Sequence, residues 1–290
     1  MAEKDKIKTQ EPKKDYFIND ESENMNREPI IESENYKAAG KLTNKVTLIT
    51  GGDSGIGAAT AILYAKEGAK VAFTYYSSDK DAKRTKNRIE EIGTDVMVFK
   101  GDVGDEDFAH TVIDEVSSEW GSIDVLVNHA GEQMYQASIL DITAEQIDRT
   151  YRTNIFSMFY FVKAAFPHLS DGASIITTSS ITAYRGNPVL MDYAGTNGAI
   201  VSFTRSLSQN KEITDKKIRV NSVAPGPIWT PLIPATFPED SLASWGKSGA
   251  LGRPGEAYEL APAYVYLASD DSSYVTGQTI HVNGGEIVNG

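Results

Sequence analysis

The chain has 290 residues, of which 40% are hydrophobic, and it carries a formal net charge of -12 at pH 7 and no cysteine. This length suits one large α/β domain, the simpler interpretation, or two small ones. The lack of cysteine excludes disulfides, thiolate nucleophiles and cysteine-based zinc sites. No metal site is predicted, because the four histidines lack ligand spacing: His110, His129, His168 and His281.

The charge and the hydropathy exclude two further kinds of partner. A strongly acidic chain matches neither the phosphates of nucleic acid nor an anionic lipid surface. No apolar run reaches the roughly 20 residues that span a bilayer, and the first residues lack the apolar stretch of a secretory signal. We therefore expect a cytoplasmic protein that acts on a small molecule, without nucleic acid or membrane as a partner.

Residues 1–44 are predicted to form a polar arm outside one domain that spans residues 45–290. The arm is rich in Lys, Glu, Asp and Asn, a composition that cannot bury enough apolar surface to offset the entropy of ordering. Two interpretations stay open: a disordered tail, or an arm that drapes over the domain or over a neighbouring subunit. The second would use the few large apolar residues, which are Tyr16, Phe17, Ile30, Ile31 and Tyr36.

From Lys45 onward, short β-branched runs alternate with helical patterns. The predicted strands are Val46–Thr50, Lys70–Thr74, Val96–Phe99, Ile123–Val127, Ser174–Thr177, Arg219–Val223 and Thr279–Val282. The predicted helices are Gly57–Glu67, Asp79–Ile92, Asp105–Trp120, Ala144–Leu169 and Tyr193–Ile213, and Thr143 with Gln146 has the spacing of a capping box before the fourth. The alternation predicts an α/β fold, a single doubly wound Rossmann-type domain whose seven-stranded parallel sheet has helices on both faces.

The first strand leads into a glycine-rich turn, Thr50-Gly51-Gly-Asp-Ser-Gly55-Ile-Gly57, and then into a helix. Glycines let the backbone approach a pyrophosphate closely, and the helix N-terminus offers free N–H groups and a partial positive charge to an anion. The turn therefore predicts dinucleotide binding, although its G-x-x-x-G-x-G spacing differs from the commoner G-x-G-x-x-G fingerprint.

From about Leu42 to the C-terminus the sequence resembles the short-chain dehydrogenase/reductase family. Beyond the glycine loop, the family's Asn-Asn-Ala-Gly appears as Asn128-His-Ala-Gly131, and its adenine-side Asp appears as Asp102-Val103. Its Pro-Gly motif appears in Pro225-Gly226-Pro-Ile228-Trp-Thr230, and Asn154 matches the helix asparagine that holds a proton-relay water. The chain looks most like bacterial members described as general-stress or glucose/ribitol-type dehydrogenases.

The resemblance implies a set of cofactor-binding residues. They are Gly51, Asp53, Ser54, Gly55, Ile56, Gly57, Tyr76, Asp102, Val103, Asn128, Ala130, Gly131, Pro225, Gly226, Ile228 and Thr230. Three of the matched positions also have simpler interpretations. Asp102 could cap a turn, Asn128 could tie strands together through its amide, and His129 is better explained as a satisfied loop histidine than as a catalyst.

The implied catalytic residues are Tyr193, Ser180 and Asn154, with Asn197 in the place of the family's lysine. The spacing of thirteen residues from Ser180 to Tyr193 matches that of the family, so the resemblance favours Ser180 over Ser179. A tyrosine has an unperturbed pKa of about 10, and a nearby ammonium would lower it by roughly 1–3 units. Asparagine has no charge and can only hydrogen-bond. We therefore expect a site weakened near neutral pH, unless Arg185 or the positive end of the helix compensates.

Cofactor choice depends on the end of the second strand, where an acid binds the ribose of NAD and a basic residue binds the 2′-phosphate of NADP. Tyr75 occupies the acid position and Ser54 is not basic. The basic candidates nearby are Lys80, Lys83 and Arg84. The cofactor is therefore NAD or NADP, with a slight preference for NAD.

Two functions stay open. The first is an NAD(P)-dependent oxidoreductase that interconverts an alcohol or sugar hydroxyl and a carbonyl. The second is a dinucleotide-binding protein with weak or lost catalysis that serves as a sensor or structural partner. Residues 229–252 are predicted to form a partly apolar lid through Trp229, Phe237, Leu242 and Trp245, or else a surface helix pair. The resemblance also implies a homotetramer.

Overall fold

A parallel β-sheet runs through the middle of the protein, and the predicted fold class is confirmed. The computed structural model describes Ser22, Met25 and residues 27–286. Its strands are β1 (Val46–Ile49), β2 (Lys70–Tyr75), β3 (Val96–Lys100), β4 (Ile123–Asn128), β5 (Leu169–Thr178), β6 (Arg219–Pro225), β7 (Ile228–Trp229), β8 (Gly255–Glu256) and β9 (Thr279–Val282). Seven of them form the sheet in the order β3-β2-β1-β4-β5-β6-β9, and every pairing is parallel. Strands β7 and β8 form a small parallel pair that the sequence did not predict.

Helices cover both faces of the sheet. They are α1 (Gly55–Lys66), α2 (Asp79–Ile92), α3 (Glu106–Trp120), α4 (Ala144–Tyr151), α5 (Ser157–Ala165), α6 (Thr182–Arg185), α7 (Met191–Ser208), α8 (Lys211–Asp215), α9 (Leu232–Thr236), α10 (Glu239–Leu242) and α11 (Ala261–Ala268). Because successive strand residues point to opposite faces, Leu48 packs with α3 and α5 whereas Ile49 packs with α1 and α11. Each face therefore has its own apolar core.

The long predicted helix Ala144–Leu169 is the clearest error in the sequence-based assignment. A π-helical turn at Arg152–Phe156 separates α4 from α5, and a 3₁₀ turn at Phe166–His168 follows α5. Pro167 lies in that turn, where its missing N–H donor does not suit a continuing helix. Strand β5 consequently begins at Leu169, five residues before the predicted Ser174.

Other boundaries shift less. Helix α7 begins at Met191 and ends at Ser208, and the predicted remainder forms the separate helix α8. In the predicted capping box, Thr143 Oγ1 accepts from the Gln146 N–H at 3.1 Å. The Gln146 side-chain amide instead donates to Asp192 Oδ2 at 2.9 Å, which fastens α4 to the first turn of α7.

The described part of the arm lies against the domain. Arg27 Nη1 is 2.7 Å from Glu256 Oε1, and Glu32 accepts from Arg88 at 3.0 and 3.1 Å. Ile31 and Tyr36 pack against the core on the α1 side. Tyr16 and Phe17 lie outside the described residues.

The last residues of the arm bind to Glu67, the residue that follows α1, whose carboxylate has no exposed surface. Its oxygens accept from the Tyr36 hydroxyl, from Ala39 N at 3.1 Å and from Lys41 N at 2.7 Å. A buried charge needs partners of this kind, and here they come from residues that precede β1. Glu67 therefore anchors the arm to the end of α1.

We expect Glu67→Ala to lower the free energy of unfolding by about 2–4 kcal/mol, since it leaves several donors without an acceptor. Urea denaturation followed by circular dichroism measures the change. The matched control is Lys211→Ala, which removes an exposed ion pair with Asp215 and should cost at most about 0.5 kcal/mol. Equal effects of the two variants would contradict the anchoring role.

Candidate active site

The glycine loop joins β1 to α1 at the edge of the sheet where the strand order reverses. Gly51 and Gly55 have φ of +69° and +50°, a left-handed conformation that favours glycine. The Ser54 side chain makes no capping bond, and the first turn of α1 contains no acidic residue. The positive end of α1 is therefore suited to an anion such as a pyrophosphate.

A cavity of about 490 Å³ runs along the carboxyl ends of the strands from this loop. Its volume lies in the range of small-molecule sites, and parallel sheets bind ligands at this edge. All the predicted catalytic and cofactor-binding residues line it except Gly57 and Asn128.

Those two exceptions act inside the protein. A Cβ at Gly57 would lie 1.9 Å from Gly51 O, so the loop closes only around a glycine. Asn128 is buried at the end of β4, and among the described residues its Nδ2 has no hydrogen-bond partner. The amide nitrogen of Asn128 therefore makes no tie between strands among the described residues, and the predicted structural role of the amide stays a prediction.

Tyr193 and Ser180 come together at the middle of the cavity. Ser180 follows β5, and its Oγ accepts from Thr182 N at 3.1 Å. Tyr193 is the third residue of α7, and the Ser180 side chain lies close enough to it to lower its pKa. The neighbouring Ser179 instead bonds Val223 O at 3.3 Å and Ser222 Oγ at 3.1 Å. The geometry thus agrees with the choice of Ser180.

The surroundings of Tyr193 raise its pKa above the ordinary value. The main cause is removal of the hydroxyl from water, and hydrogen bonds from Ser180 and Asn197 oppose it only in part. Asn197 Nδ2 also donates to Tyr193 O at 2.8 Å, so the amide is partly engaged with its own helix. Within the described residues, no cation contributes to the pKa of Tyr193.

The proposed rescue by Arg185 is not supported by the geometry. Arg185 lines the cavity, but its Nη1 lies 2.5 Å from Glu286 Oε2. Because that carboxylate neutralises the guanidinium, Arg185 does not replace the family's lysine. Of the two compensating groups that the sequence suggested, the N-terminus of α7, two residues before Tyr193, remains as a source of positive potential.

Asn154 lies in the π-helical turn between α4 and α5. Its Oδ1 accepts from Glu132 N at 2.8 Å, and its Nδ2 donates to Glu132 O at 2.9 Å and to Thr196 Oγ1 at 3.1 Å. The side chain is thus used to connect the loop after β4 with α7. A relay water would have to be held mainly by another atom of this turn.

His129 belongs to a chain of polar side chains that begins in the wall of the cavity. Its Nδ1 is 3.0 Å from Thr178 Oγ1, which is 2.7 Å from the Tyr264 hydroxyl. Burial lowers the pKa of His129 to about 4, so the imidazole is neutral at pH 7. This geometry agrees with a satisfied loop histidine.

At the end of β2, Tyr75 donates to Asp79 Oδ1 at 2.8 Å, and Asp79 is paired with Lys100. None of the basic candidates Lys80, Lys83 and Arg84 lines the cavity. This end of the cavity therefore has neither a carboxylate in the acid position nor a cation from the basic candidates.

Only part of the predicted lid faces the cavity. Phe237 and Trp245 line it, and their rings meet edge to face with centroids 6.3 Å apart. Trp229 and Leu242 line a second cavity of about 560 Å³, and Trp245 lines both cavities. Trp229 is also held from outside, since its Nε1 donates to Arg27 O at 2.8 Å.

Comparison with known proteins agrees with these features. A family model described as enoyl-(acyl carrier protein) reductase matches residues 51–286, from the glycine loop to the last described residue. The chain belongs to the short-chain dehydrogenase/reductase family. Members of this family bind NAD(P) and act as oxidoreductases, which confirms the predicted family and the general class of function.

Two curated relatives and one solved structure illustrate this membership. General stress protein 39 of Bacillus subtilis is 53% identical over 264 residues, which cover 91% of this chain and 92% of the relative. Glucose and ribitol dehydrogenase of Daucus carota is 47% identical over 272 residues, which cover 92% and 93%. A short-chain dehydrogenase from Burkholderia cenocepacia in complex with NADP has a TM-score of 0.79 at 30% identity, covering 84% of this chain and 98% of that one. The slight preference for NAD thus finds no support.

The chain has one further property that bears on its setting. Among the residues that the structure describes, no helix combines the length and the apolar character needed to cross a bilayer.

Sequence reasoning missed two charged residues of this short-chain dehydrogenase/reductase cavity, Glu132 and Arg149. Arg149 Nη1 pairs with Asp102 and Nη2 pairs with Glu132. Asp102 also accepts from Gly104 N at 2.8 Å, so the turn-capping interpretation is found beside the cavity-lining one. Glu132 directly follows the Asn128–Gly131 motif, and this position was the signal by which the sequence could have identified it as a cavity residue.

We expect Gly57→Ala to abolish dinucleotide binding and to lower stability, because its Cβ would collide with Gly51 O. Fluorescence titration with NADH and NADPH measures binding. The control is Gly198→Ala in α7, where a Cβ meets nothing within 4 Å and helix propensity improves by up to about 1 kcal/mol. Normal binding by Gly57→Ala would show that the loop has another conformation.

Proposed function

We propose that this protein is an NAD(P)-dependent oxidoreductase that interconverts an alcohol or sugar hydroxyl and a carbonyl. The observation that carries the proposal is that Ser180 and Tyr193 line the same cavity as the glycine loop, with Ser180 close enough to Tyr193 to lower its pKa. The nicotinamide cofactor would supply or accept the hydride. Ser180 would hold the substrate oxygen, and Tyr193 would give or take its proton.

The raised pKa of Tyr193 gives the two reaction directions different pH dependences. Alcohol oxidation needs the phenolate as a base, and a raised pKa lowers the fraction of phenolate at neutral pH. Carbonyl reduction needs the protonated phenol, which is the dominant form there. Oxidation should therefore rise with pH through the alkaline range, whereas reduction should be much flatter up to about pH 8.

The first test is Asn197→Lys, which adds the missing cation. It should lower the pKa of Tyr193 by roughly 1–3 units, which corresponds to about 1.4–4 kcal/mol and to roughly a tenfold to thousandfold faster oxidation at pH 7. Turnover is measured from pH 6 to 10 over a panel of alcohols and aldoses.

The matched control is Asn197→Gln, which lengthens the side chain without adding charge and should not shift the pH profile. If the lysine variant is no faster than wild type at pH 7, and wild type shows no alkaline rise, the weakened-site hypothesis is wrong. Tyr193→Phe should remove turnover in both directions.

A second candidate function is a dinucleotide-binding sensor or structural partner with little catalysis. The raised pKa of Tyr193 and the lack of a nearby cation among the described residues favour it. Tight binding of NADH or NADPH by wild type, with no turnover at pH 9 on any substrate of the panel, would support this function against the enzyme.

For the cofactor we propose that both dinucleotides bind with similar affinity. The acid position holds Tyr75, whose hydroxyl is turned to Asp79, and no basic candidate lines the cavity. The NADP complex of the Burkholderia relative is consistent with acceptance of the 2′-phosphate.

We expect the dissociation constants for NADH and NADPH to differ by less than about tenfold, or 1.4 kcal/mol. Asp53, which acts electrostatically on Tyr75 at this end, should disfavour the extra phosphate. Asp53→Asn should therefore tighten NADPH more than NADH, and Asp79→Asn, which removes an exposed charge paired with Lys100, is the comparison. A preference above a hundredfold in wild type would contradict the proposal.

For the substrate we propose a small alcohol, sugar or carbonyl compound beneath a lid of residues 229–252. Phe237 and Trp245 give this side of the cavity an apolar wall, and the carrot relative is named for glucose and ribitol. The homotetramer stays a prediction, and the exposed Phe156 and Phe159 near the junction with α5 would suit such an interface.

A further inference from the structure

Four side chains from separate parts of the chain form a cluster at one end of the cavity, which we call the arginine cluster. It consists of Tyr76 after β2, Asp102 after β3, Glu132 after β4 and Arg149 in α4. All four line the cavity. Because these strand ends are close together in the sheet, one arginine can reach all three loops.

Arg149 is the centre of the cluster. Its two terminal nitrogens pair with different carboxylates, Nη1 with Asp102 and Nη2 with Glu132, and its side chain is only 16% exposed. The guanidinium carbon lies 5.5 Å from the centroid of the Tyr76 ring. A planar guanidinium can pair with carboxylates and stack on an aromatic ring together, which a lysine ammonium cannot do in the same way.

The charges explain why the cluster needs this arginine. Asp102 and Glu132 place two carboxylates near the path of a dinucleotide whose pyrophosphate is also negative. Burial raises the pKa of Glu132, and the bonds to Arg149 oppose that rise. Without Arg149, the two carboxylates would repel each other and the bound anion.

Glu132 also has free hydrogen-bonding capacity. Its Oε1 accepts from Thr153 Oγ1 at 2.7 Å, but its Oε2 is buried and has no hydrogen-bond partner among the described residues. Buried polar atoms are usually satisfied, so an orphaned acceptor in the wall of a cavity indicates a missing donor. An adenine amino group or an ordered water could provide that donor.

We propose that Arg149 is a positioning residue for the adenosine half of the dinucleotide. It would hold Asp102 and Glu132 in place as acceptors, cancel part of their charge, and fix the Tyr76 ring as a wall for the adenine. This inference rests on the proposed cofactor binding and concerns one half of the cofactor. Removal of Arg149 should therefore weaken ligands that contain adenosine and spare those that do not.

The experiment measures binding without turnover. Isothermal titration uses ADP-ribose, which contains the adenosine but lacks the nicotinamide, and reduced nicotinamide mononucleotide, which lacks the adenosine. Arg149→Met should weaken ADP-ribose by roughly tenfold to a hundredfold and leave the mononucleotide within about threefold. Arg149→Lys should fall between wild type and Arg149→Met for ADP-ribose, because the charge remains but the two-sided pairing is lost.

Two further variants keep the proposal testable if Arg149→Met is less stable. Arg152→Met removes an exposed arginine that follows α4 and pairs with Asp148, and both affinities should stay at the wild-type value. Adding Glu132→Gln to Arg149→Met should restore part of the ADP-ribose affinity, because one of the two uncompensated carboxylates is removed. A double-mutant cycle gives this coupling.

The outcomes distinguish a positioning role of Arg149 from a general structural role. A folded Arg149→Met that binds ADP-ribose like wild type would overturn the proposal, and so would equal losses for the two ligands, which indicate a general structural role. If wild type binds NADH but turns over nothing, the proposed catalysis fails while the role of Arg149 still stands. If wild type binds neither NADH nor NADPH, the proposed catalysis and the proposed role of Arg149 are both wrong.

Discussion

The parallel arrangement of the sheet is the constraint on which the site depends. All seven strands end at the same edge, and the order reverses between β1 and β4, so the loops there diverge and leave a crevice. Residues as distant in sequence as Gly51, Asp102, Ser180 and Pro225 then share one cavity. The glycines at 51, 55 and 57 let the first of these loops pack closely, since a Cβ there would crowd Ala130, Thr230 and Gly51 O respectively.

In the proposed function, the electrostatics of Tyr193 would set the chemistry within that crevice. Burial favours the neutral phenol, and the hydrogen bonds of Ser180 and Asn197 offset only part of this effect. Hydrogen bonds stabilise a phenolate less than a full positive charge in the same place does. The site is therefore better arranged to hold a proton on Tyr193 than to remove one, which suits a proton donor more than a base. The raised pKa of Tyr193 is also the reason why a dinucleotide-binding sensor with little catalysis stays a candidate function.

The sequence was sufficient wherever the information is local. Apolar strand runs placed all seven strands of the sheet, and the glycines within Thr50–Gly57 placed the turn between β1 and α1. It failed where distant residues decide the outcome. Nothing near Arg149 shows that it meets Asp102 and Glu132, because these partners are 47 and 17 residues away. The break at Asn154 is likewise decided by Glu132 and Thr196, which a helical pattern over Ala144–Leu169 cannot show.

The arm shows how distant parts of the chain also constrain the substrate side. Glu256 on β8 accepts from Arg27 Nη1 at 2.7 Å and from Ile30 N at 3.2 Å, and Arg27 O accepts from Trp229 on β7. The pair β7–β8 borders the segment proposed as the lid, and Ile228 on β7 lines the cavity. The arm thus contacts the β7–β8 pair, and the same pair contributes Ile228 to the wall of the cavity. A composition too polar to form its own core can still be ordered in this way, since its carboxylates, guanidinium and backbone groups find partners on a domain that is already folded.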